Sequence, residues 1–339
     1  MERKIVAMTA SHIESGLGTY AHEVSKVLNG DIISLARDRK ILSANFAGEV
    51  RKARFYPPIT TGWFININFP RFMFRLYDLK NTWVHYCNPM LPVNDPDKRI
   101  VTFLDFLFDF HGEKKYPYDM RVIEKFKSCQ NVISISRHTA DQAVNYGLRQ
   151  EFAVIHPAGG DFKILPSAER GPELLNKKVV LSVGSTLRRK NPGMIRKVMQ
   201  GLDDSYVLVR VGKPLGVDGE IVYDLAHADF GTLNYLYNIS DVLFYPSHDE
   251  GFGYPPVEAL KAGLPSVVSD IDVFHETMRD AAVYVDKDNV DSCLAGIKEA
   301  IGTREEIEKR QVPLREYYTP ERFGKEMREF YRSRTGLDL

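Results

Sequence analysis

Residues 243–269 read LFYPSHDEGFGYPPVEALKAGLPSVVS, and the fold follows from this stretch. The apolar run Leu243-Phe244-Tyr245 stops at Pro246-Ser247. A turn with Asp249, Glu250, Gly251 and Gly253 comes next. Pro255-Pro256 then opens a short helix, because proline in a first helical turn gives up an N–H that has no partner anyway. Gly263 and Pro265 end that helix. Pro265 to Ser269 reads as the next buried strand. The unit is strand, glycine turn, helix, strand.

Glu250 lies in the turn and Glu258 about one turn into the helix. Between them falls a helix N-terminus, where unpaired N–H groups and the positive end of the dipole favour an anion. The glycines let a ligand approach the backbone closely. Carboxylates beside a phosphate site accept hydrogen bonds from hydroxyls, so a phosphate joined to a polyol fits, as in a nucleotide-sugar.

At 339 residues the chain is long enough for two domains. Composition is that of a soluble globular protein, and the formal net charge of +0 argues against a dedicated nucleic-acid binder. Up to residue 165 there are 22 basic and 17 acidic residues, so the first half is mildly basic and the rest mildly acidic. Cys87, Cys129 and Cys293 are far apart, with no metal or redox spacing, and suit a reducing compartment. The first ten residues do not read as a signal peptide, and no apolar run approaches the roughly 20 residues of a membrane span. The expected location is cytoplasmic, with peripheral membrane contact as an open variant.

Residues 4–9 read as a buried strand. The turn Ser15-Gly16-Leu17-Gly18-Thr19 leads to a helix with Tyr20, Val24, Val27 and Leu28 on one face. This opens a doubly wound α/β domain, whose ligands bind at the strand ends. The turn lacks the full dinucleotide fingerprint, so an NAD enzyme is disfavoured. Residues 55–80 are rich in aromatics, with Arg71 and Arg75 among them. They read either as an amphipathic surface for a membrane or apolar acceptor, or as a core-packing loop and helix. Strands are expected near 82–87, 99–104, 131–136 and 152–156, and helices over 119–128 and 138–147. Asp105, Asp109 and His111 follow the strand that ends near Leu104. Residues 165–177 read as a linker. The alternation then restarts with a strand over 178–183, a loop over 184–191 and a helix from Pro192, and continues through 206–211 and 241–245. Helices are expected over 232–239, 271–279, 290–301 and 303–317, and from Pro320, with Phe323, Met327, Phe330 and Tyr331 on one face of the last. Arg188, Arg189 and Lys190 crowd the loop after the first of these strands. There they can neutralise a diphosphate leaving group; the alternative is a solvated charge run.

The series Pro246-Ser247, Glu250-Gly251-Phe252-Gly253-Tyr254-Pro255, Glu258-Ala259, Gly263-Leu264-Pro265 and Ser269-Asp270 resembles the signature of the retaining GT-B glycosyltransferases of family 4, the mannosyltransferase-like "group 1" enzymes. Its two glutamates match the family's E-x7-E spacing. Val183-Gly184-Ser185 with Arg189-Lys190-Asn191 is similar to the phosphate-binding loop, and Gly16 to Tyr20 to the N-terminal glycine loop. Weaker landmarks match at 133–137, at 157–161 and at 280–286. The resemblance covers most of the chain and is weakest over 40–80. Family members commonly carry His-Asp where this chain has Leu104-Asp105, and many carry Arg in place of Ser185.

The resemblance implies two Rossmann-like domains facing across a cleft. The expected division is 1–165, joined by the C-terminal helix 320–339, as the acceptor-side domain, and 166–319 as the nucleotide-sugar domain. It implies Glu258 on the ribose hydroxyls and Glu250 on the donor sugar. The backbones of Phe252, Gly253 and Tyr254 would meet sugar and diphosphate. Ser185, Arg189 and Lys190 would hold the diphosphate with help from Gly16 and Gly18. Glu250, Asp105 and Lys190 would serve the chemistry, without a metal or other cofactor. The departing phosphate would help to deprotonate the acceptor during same-face attack. The expected activity is hexosyl transfer from a GDP- or UDP-sugar to a glycan or lipid-linked acceptor. A sugar-nucleotide epimerase and a non-catalytic nucleotide-sugar-binding protein are the alternatives.

Overall fold

The structure, a computed structural model, describes residues 4–9, 16–29, 32–34, 54–55, 82–87, 98–105, 127–223 and 228–339. The aromatic stretch beyond Phe55, Asp109, His111 and all but the end of the helix expected over 119–128 lie outside the described residues. The chain divides into two compact units, one of Met1–Ala158 with Pro320–Leu339 and one of Gly159–Thr319.

The second unit is a six-stranded parallel sheet in the order β10-β9-β8-β11-β12-β13. Its strands are β8 (Lys178–Val183), β9 (Tyr206–Val211), β10 (Ile221–Tyr223), β11 (Val242–Tyr245), β12 (Ser266–Ser269) and β13 (Val283–Val285). β11 and β12 are buried at every position, and they read as unbroken apolar runs because helices cover both faces of such a sheet. On one face, Met194, Ile195 and Val198 of the helix Pro192–Gln200 pack with Cys293, Ile297 and Ala300 of the helix Val290–Gly302. They lie over Val180, Leu208, Phe244 and Val267. The short strands β10 and β13 were not predicted from sequence, and the helix expected from residue 232 starts at Phe230.

Between β11 and β12 runs the helix Tyr254–Lys261, buried at all positions but Pro255. It ends in a Schellman arrangement: Leu264 N–H donates to Ala259 O (2.8 Å), Gly263 N–H donates to Leu260 O (3.2 Å), and Gly263 has φ +75°. Gln311 of the helix Arg304–Tyr317 donates to Leu264 O (2.9 Å) and closes the other side.

The first unit is also a parallel sheet, ordered β3-β2-β1-β4-β5-β6-β7. It comprises β1 (Lys4–Thr9), β2 (Ile32–Ser34), β3 (Arg54–Phe55), β4 (Thr82–Tyr86), β5 (Arg99–Phe103), β6 (Val132–Ser134) and β7 (Ala153–Val154). Gly16 and Gly18, expected in a loop, form the first turn of the helix Gly16–Val27, which starts one turn earlier than the apolar pattern suggests. The terminal helix Pro320–Thr335 belongs to this unit and buries Phe323, Met327, Phe330 and Tyr331. Its Arg322 donates to His156 O (2.7 Å) and Pro157 O (3.1 Å). Tyr331 Oη meets His85 Nδ1 at 2.6 Å, His85 Nε2 meets Thr102 Oγ1 at 2.7 Å, and Thr102 Oγ1 meets Tyr20 Oη at 2.8 Å. The division between units falls before the 165/166 boundary expected from sequence. Residues 162–165 pack with the second unit: Phe162 lies against Phe230, and Asn234 and Asn238 accept from the N–H groups of Lys163 and Leu165.

Candidate nucleotide-sugar site

In the second unit, strand order reverses between β8 and β11, the two central strands. Ligands of open parallel sheets bind beyond the carboxyl ends of the strands at such a reversal. The loop leaving β8 carries Arg188–Lys190 as one 3-10 turn, and the loop leaving β11 carries Glu250. His248 N–H donates to Arg189 O (2.7 Å) and ties the loops together. Asn191 adopts φ +52° and ends the basic turn. Its side chain accepts from Met194 N–H, capping the next helix, and donates to Lys287 O (2.9 Å).

Glu250 is 6% exposed. Its carboxylate receives Arg189 Nη1 at 3.0 Å on one oxygen, and Lys190 Nζ at 2.5 Å with Tyr245 Oη at 3.0 Å on the other. Lys190 Nζ also contacts Tyr245 Oη and lies 4.8 Å from the centroid of its ring. Burial alone would raise the Glu250 carboxyl. Lys190 and then Arg189 outweigh it and hold the group below the ordinary glutamate range. Burial and the Glu250 charge push the Tyr245 phenol up, so it stays a donor. Three residues that the sequence analysis gave to different parts of a ligand, Glu250, Arg189 and Lys190, thus form one charged cluster.

Glu258 lies in the buried helix and is itself buried, accepting from Tyr237 Oη at 2.7 Å. That bond explains how a carboxylate tolerates the position. Gly253, the helix N-cap, has φ +85°, and a Cβ there would come within 2.6 Å of Phe274 Cε1. Pro255 and Pro256 carry no N–H, so the amides at the helix entry belong to Gly251, Phe252, Gly253 and Tyr254.

Ser185 is half-buried just past β8. Its carbonyl, with that of Gly184, faces Arg210 of β9 at 3.3 and 2.5 Å. Arg210 is 1% exposed and also donates to Ser182 Oγ (2.9 Å) and Lys213 O (3.4 Å). Burial pushes its guanidinium down to about 10, so it remains charged at neutral pH. Arg210, Tyr237 and Tyr245 are not among the residues expected at the site from sequence. Arg210 leaves a trace, a charge inside the apolar run YVLVRV.

The remaining predicted residues belong to the first unit. Gly16 and Gly18 begin the helix after β1, and Asp105 is half-buried just past β5. Leu104 is buried at 5% exposure. Among the described residues no cluster of His, Cys, Asp and Glu is arranged to hold a metal ion, and no helix is long and apolar enough to cross a membrane.

Residues 167–315 match the family described as glycosyl transferases group 1. The chain is 32% identical over 186 residues to the O-antigen chain mannosyltransferase RfbU of Salmonella typhimurium. The match covers 51% of each chain, so it spans about half the length of that relative. The fold is similar to that of Anabaena Alr3699/HepE, solved in complex with UDP and glucose, with TM-score 0.76, 12% identity and 97% and 99% of the two chains covered. It is also similar to WaaG, a glycosyltransferase involved in lipopolysaccharide biosynthesis, with TM-score 0.67, 15% identity and coverage of 99% and 100%. Residues 167–315, within the second unit, thus match the group 1 glycosyltransferase family, and the two Rossmann-like units have the GT-B fold of these neighbours.

Proposed function

We propose that the protein moves a hexose from a GDP- or UDP-sugar to a hydroxyl of a glycan or lipid-linked acceptor, with retention at the anomeric carbon. The observation that carries this reading is the meeting of Arg189, Lys190 and buried Glu250 at the strand reversal of the second unit. Arg189 and Lys190 take up the diphosphate, where negative charge grows as the glycosidic bond breaks. The amides of Phe252, Gly253 and Tyr254 meet the sugar and diphosphate at the helix entry. Tyr237 holds one oxygen of Glu258, and the carboxylate accepts from the ribose hydroxyls. Glu250 accepts from the donor-sugar hydroxyls while keeping both cations in place. The bond from the anomeric carbon to the phosphate oxygen breaks and a bond to the acceptor oxygen forms on the same face. The acceptor proton passes to the departing phosphate. Asp105, Gly16, Gly18 and Ser185 are assigned supporting contacts. The acceptor is assigned to the first unit's sequence over 55–80, which carries Arg71 and Arg75, and over 105–119; the first of these stretches would also make any peripheral membrane contact. Activity is expected to survive metal chelation, because the basic pair supplies the countercharge.

The test is release of GDP or UDP from a panel of nucleotide-sugars, with and without glycan and lipid-linked acceptors, and NMR assignment of the product anomer. Release without transfer, inversion, or no turnover from folded protein contradicts the proposal. Glu258→Ala is expected to weaken nucleoside-diphosphate binding by about 1–3 kcal/mol, the cost of a lost charge-assisted hydrogen bond. Calorimetry showing unchanged affinity refutes the ribose role.

A further inference from the structure

Arg210 takes no part in the reaction as drawn above, yet it is a nearly fully buried cation with no ion pair to a carboxylate among the described residues. Its donors go to the ends of two neighbouring strands. They reach Ser182 Oγ, Gly184 O and Ser185 O where β8 ends, and Lys213 O just beyond β9. The peptides here are trans, and in a trans peptide the N–H points opposite to the C=O. With the Gly184 and Ser185 carbonyls drawn toward the guanidinium, the N–H groups of Ser185 and Thr186 point away from it. Neither N–H has an acceptor among the described residues, and Thr186 is exposed. Consecutive amides aimed to one side form an anion-binding concavity. The backbone is shaped for this arrangement: Gly184 has φ +136° and Gly212 φ +142°. A Cβ on Gly212 would collide with Gly184 O and come within 3.0 Å of Arg210 Nη2.

We infer that Arg210 is a positioning residue of the diphosphate site: it draws the Gly184 and Ser185 carbonyls inward, so that the amides of Ser185 and Thr186 face the phosphates held by Arg189 and Lys190. This rests on the proposed nucleotide-sugar reading. Arg210 touches no phosphate in this role; it acts through the backbone, and its buried charge adds to the potential at the loop.

The experiment compares wild type, Arg210→Met and Arg210→Lys for binding of UDP and GDP by calorimetry, and of uridine and guanosine by ligand-observed NMR. In Arg210→Met the affinity for the preferred diphosphate falls at least tenfold while that for its nucleoside is unchanged. Arg210→Lys falls between, since an ammonium restores the charge without the guanidinium fork. A merely structural role lowers both affinities together or neither, and either result overturns the inference. Should Arg210→Met fail to fold, the wild-type amide resonances of Ser185 and Thr186 decide: they shift on titration with the preferred diphosphate, and unshifted signals overturn the inference. A wild type that binds neither UDP nor GDP defeats the nucleotide-sugar reading and this inference with it. Wild-type binding that Arg210→Met retains in full defeats the inference alone.

Discussion

Glu250 holds two cations and a phenol on one carboxylate. In the proposed reaction it both positions the basic pair and meets the donor sugar. Glu250→Gln keeps the shape and the acceptor oxygen but removes the charge that orders Arg189 and Lys190. The expected result is a 10²–10³-fold fall in kcat, the usual scale for losing a positioned electrostatic partner, with a smaller loss of nucleoside-diphosphate affinity as the basic pair loses its order. Steady-state kinetics alongside calorimetry separates the two; unchanged kcat removes Glu250 from the chemistry. Glu250, Glu258, Arg189 and Lys190 were legible as candidates because their spacing places them on the loops and helix that follow strands, which is where they lie. The pairing of Glu250 with Arg189 and Lys190 was not, because it depends on β8 and β11 being neighbours, which local sequence does not state.

At the scale of elements, the helix Tyr254–Lys261 was readable almost to the residue. Gly253, Pro255 and Gly263 each impose a backbone conformation that only a helix start or stop accepts. Gly253→Ala combines a left-handed φ with a Cβ pressed on Phe274. It should cost the second unit about 2–4 kcal/mol, adding the left-handed penalty to overpacking. Urea denaturation followed through that unit's transition measures it, and a loss under about 0.5 kcal/mol shows that the helix entry is not rigid. The glycine loop of the first unit was read less well. Gly16-Leu17-Gly18 forms the opening helical turn, and a glycine-rich start has no side-chain periodicity to mark its boundary. The short strands β2, β3, β10 and β13 escaped because two or three residues carry no period.

At the scale of the whole molecule, the chain leaves its first unit at Ala158 and returns to it at Pro320. The return is fixed by a buried polar chain, Tyr331–His85–Thr102–Tyr20. The amphipathic face of the last helix was legible in sequence, whereas its partner His85 was hidden within an otherwise strand-like run, TWVHY. Burial pushes the His85 imidazole down to about 3, so it folds neutral. Below about pH 6.5 the unfolded chain takes up a proton that the folded chain refuses. Stability is therefore lost as pH falls from about 6.5 toward 3, by about 1.4 kcal/mol per pH unit from this group. Replacing His85 with Gln should flatten the pH dependence of first-unit stability by one proton across that window. Denaturation curves at stepped pH check this, and parallel wild-type and variant profiles refute it. Glu250, depressed below its ordinary range, loses its contribution only at lower pH, so acid is expected to weaken the first unit before the second. The central claim is that the basic turn at the strand reversal takes a nucleoside diphosphate. It is tested most directly by titrating GDP, UDP and their nucleosides into wild type and Lys190→Gln, in protein that still melts cooperatively. The account predicts that wild type binds one of the two diphosphates and that the variant loses at least tenfold, about 1.4 kcal/mol, in that affinity with the nucleoside unaffected. Equal diphosphate affinity in the two proteins would contradict it.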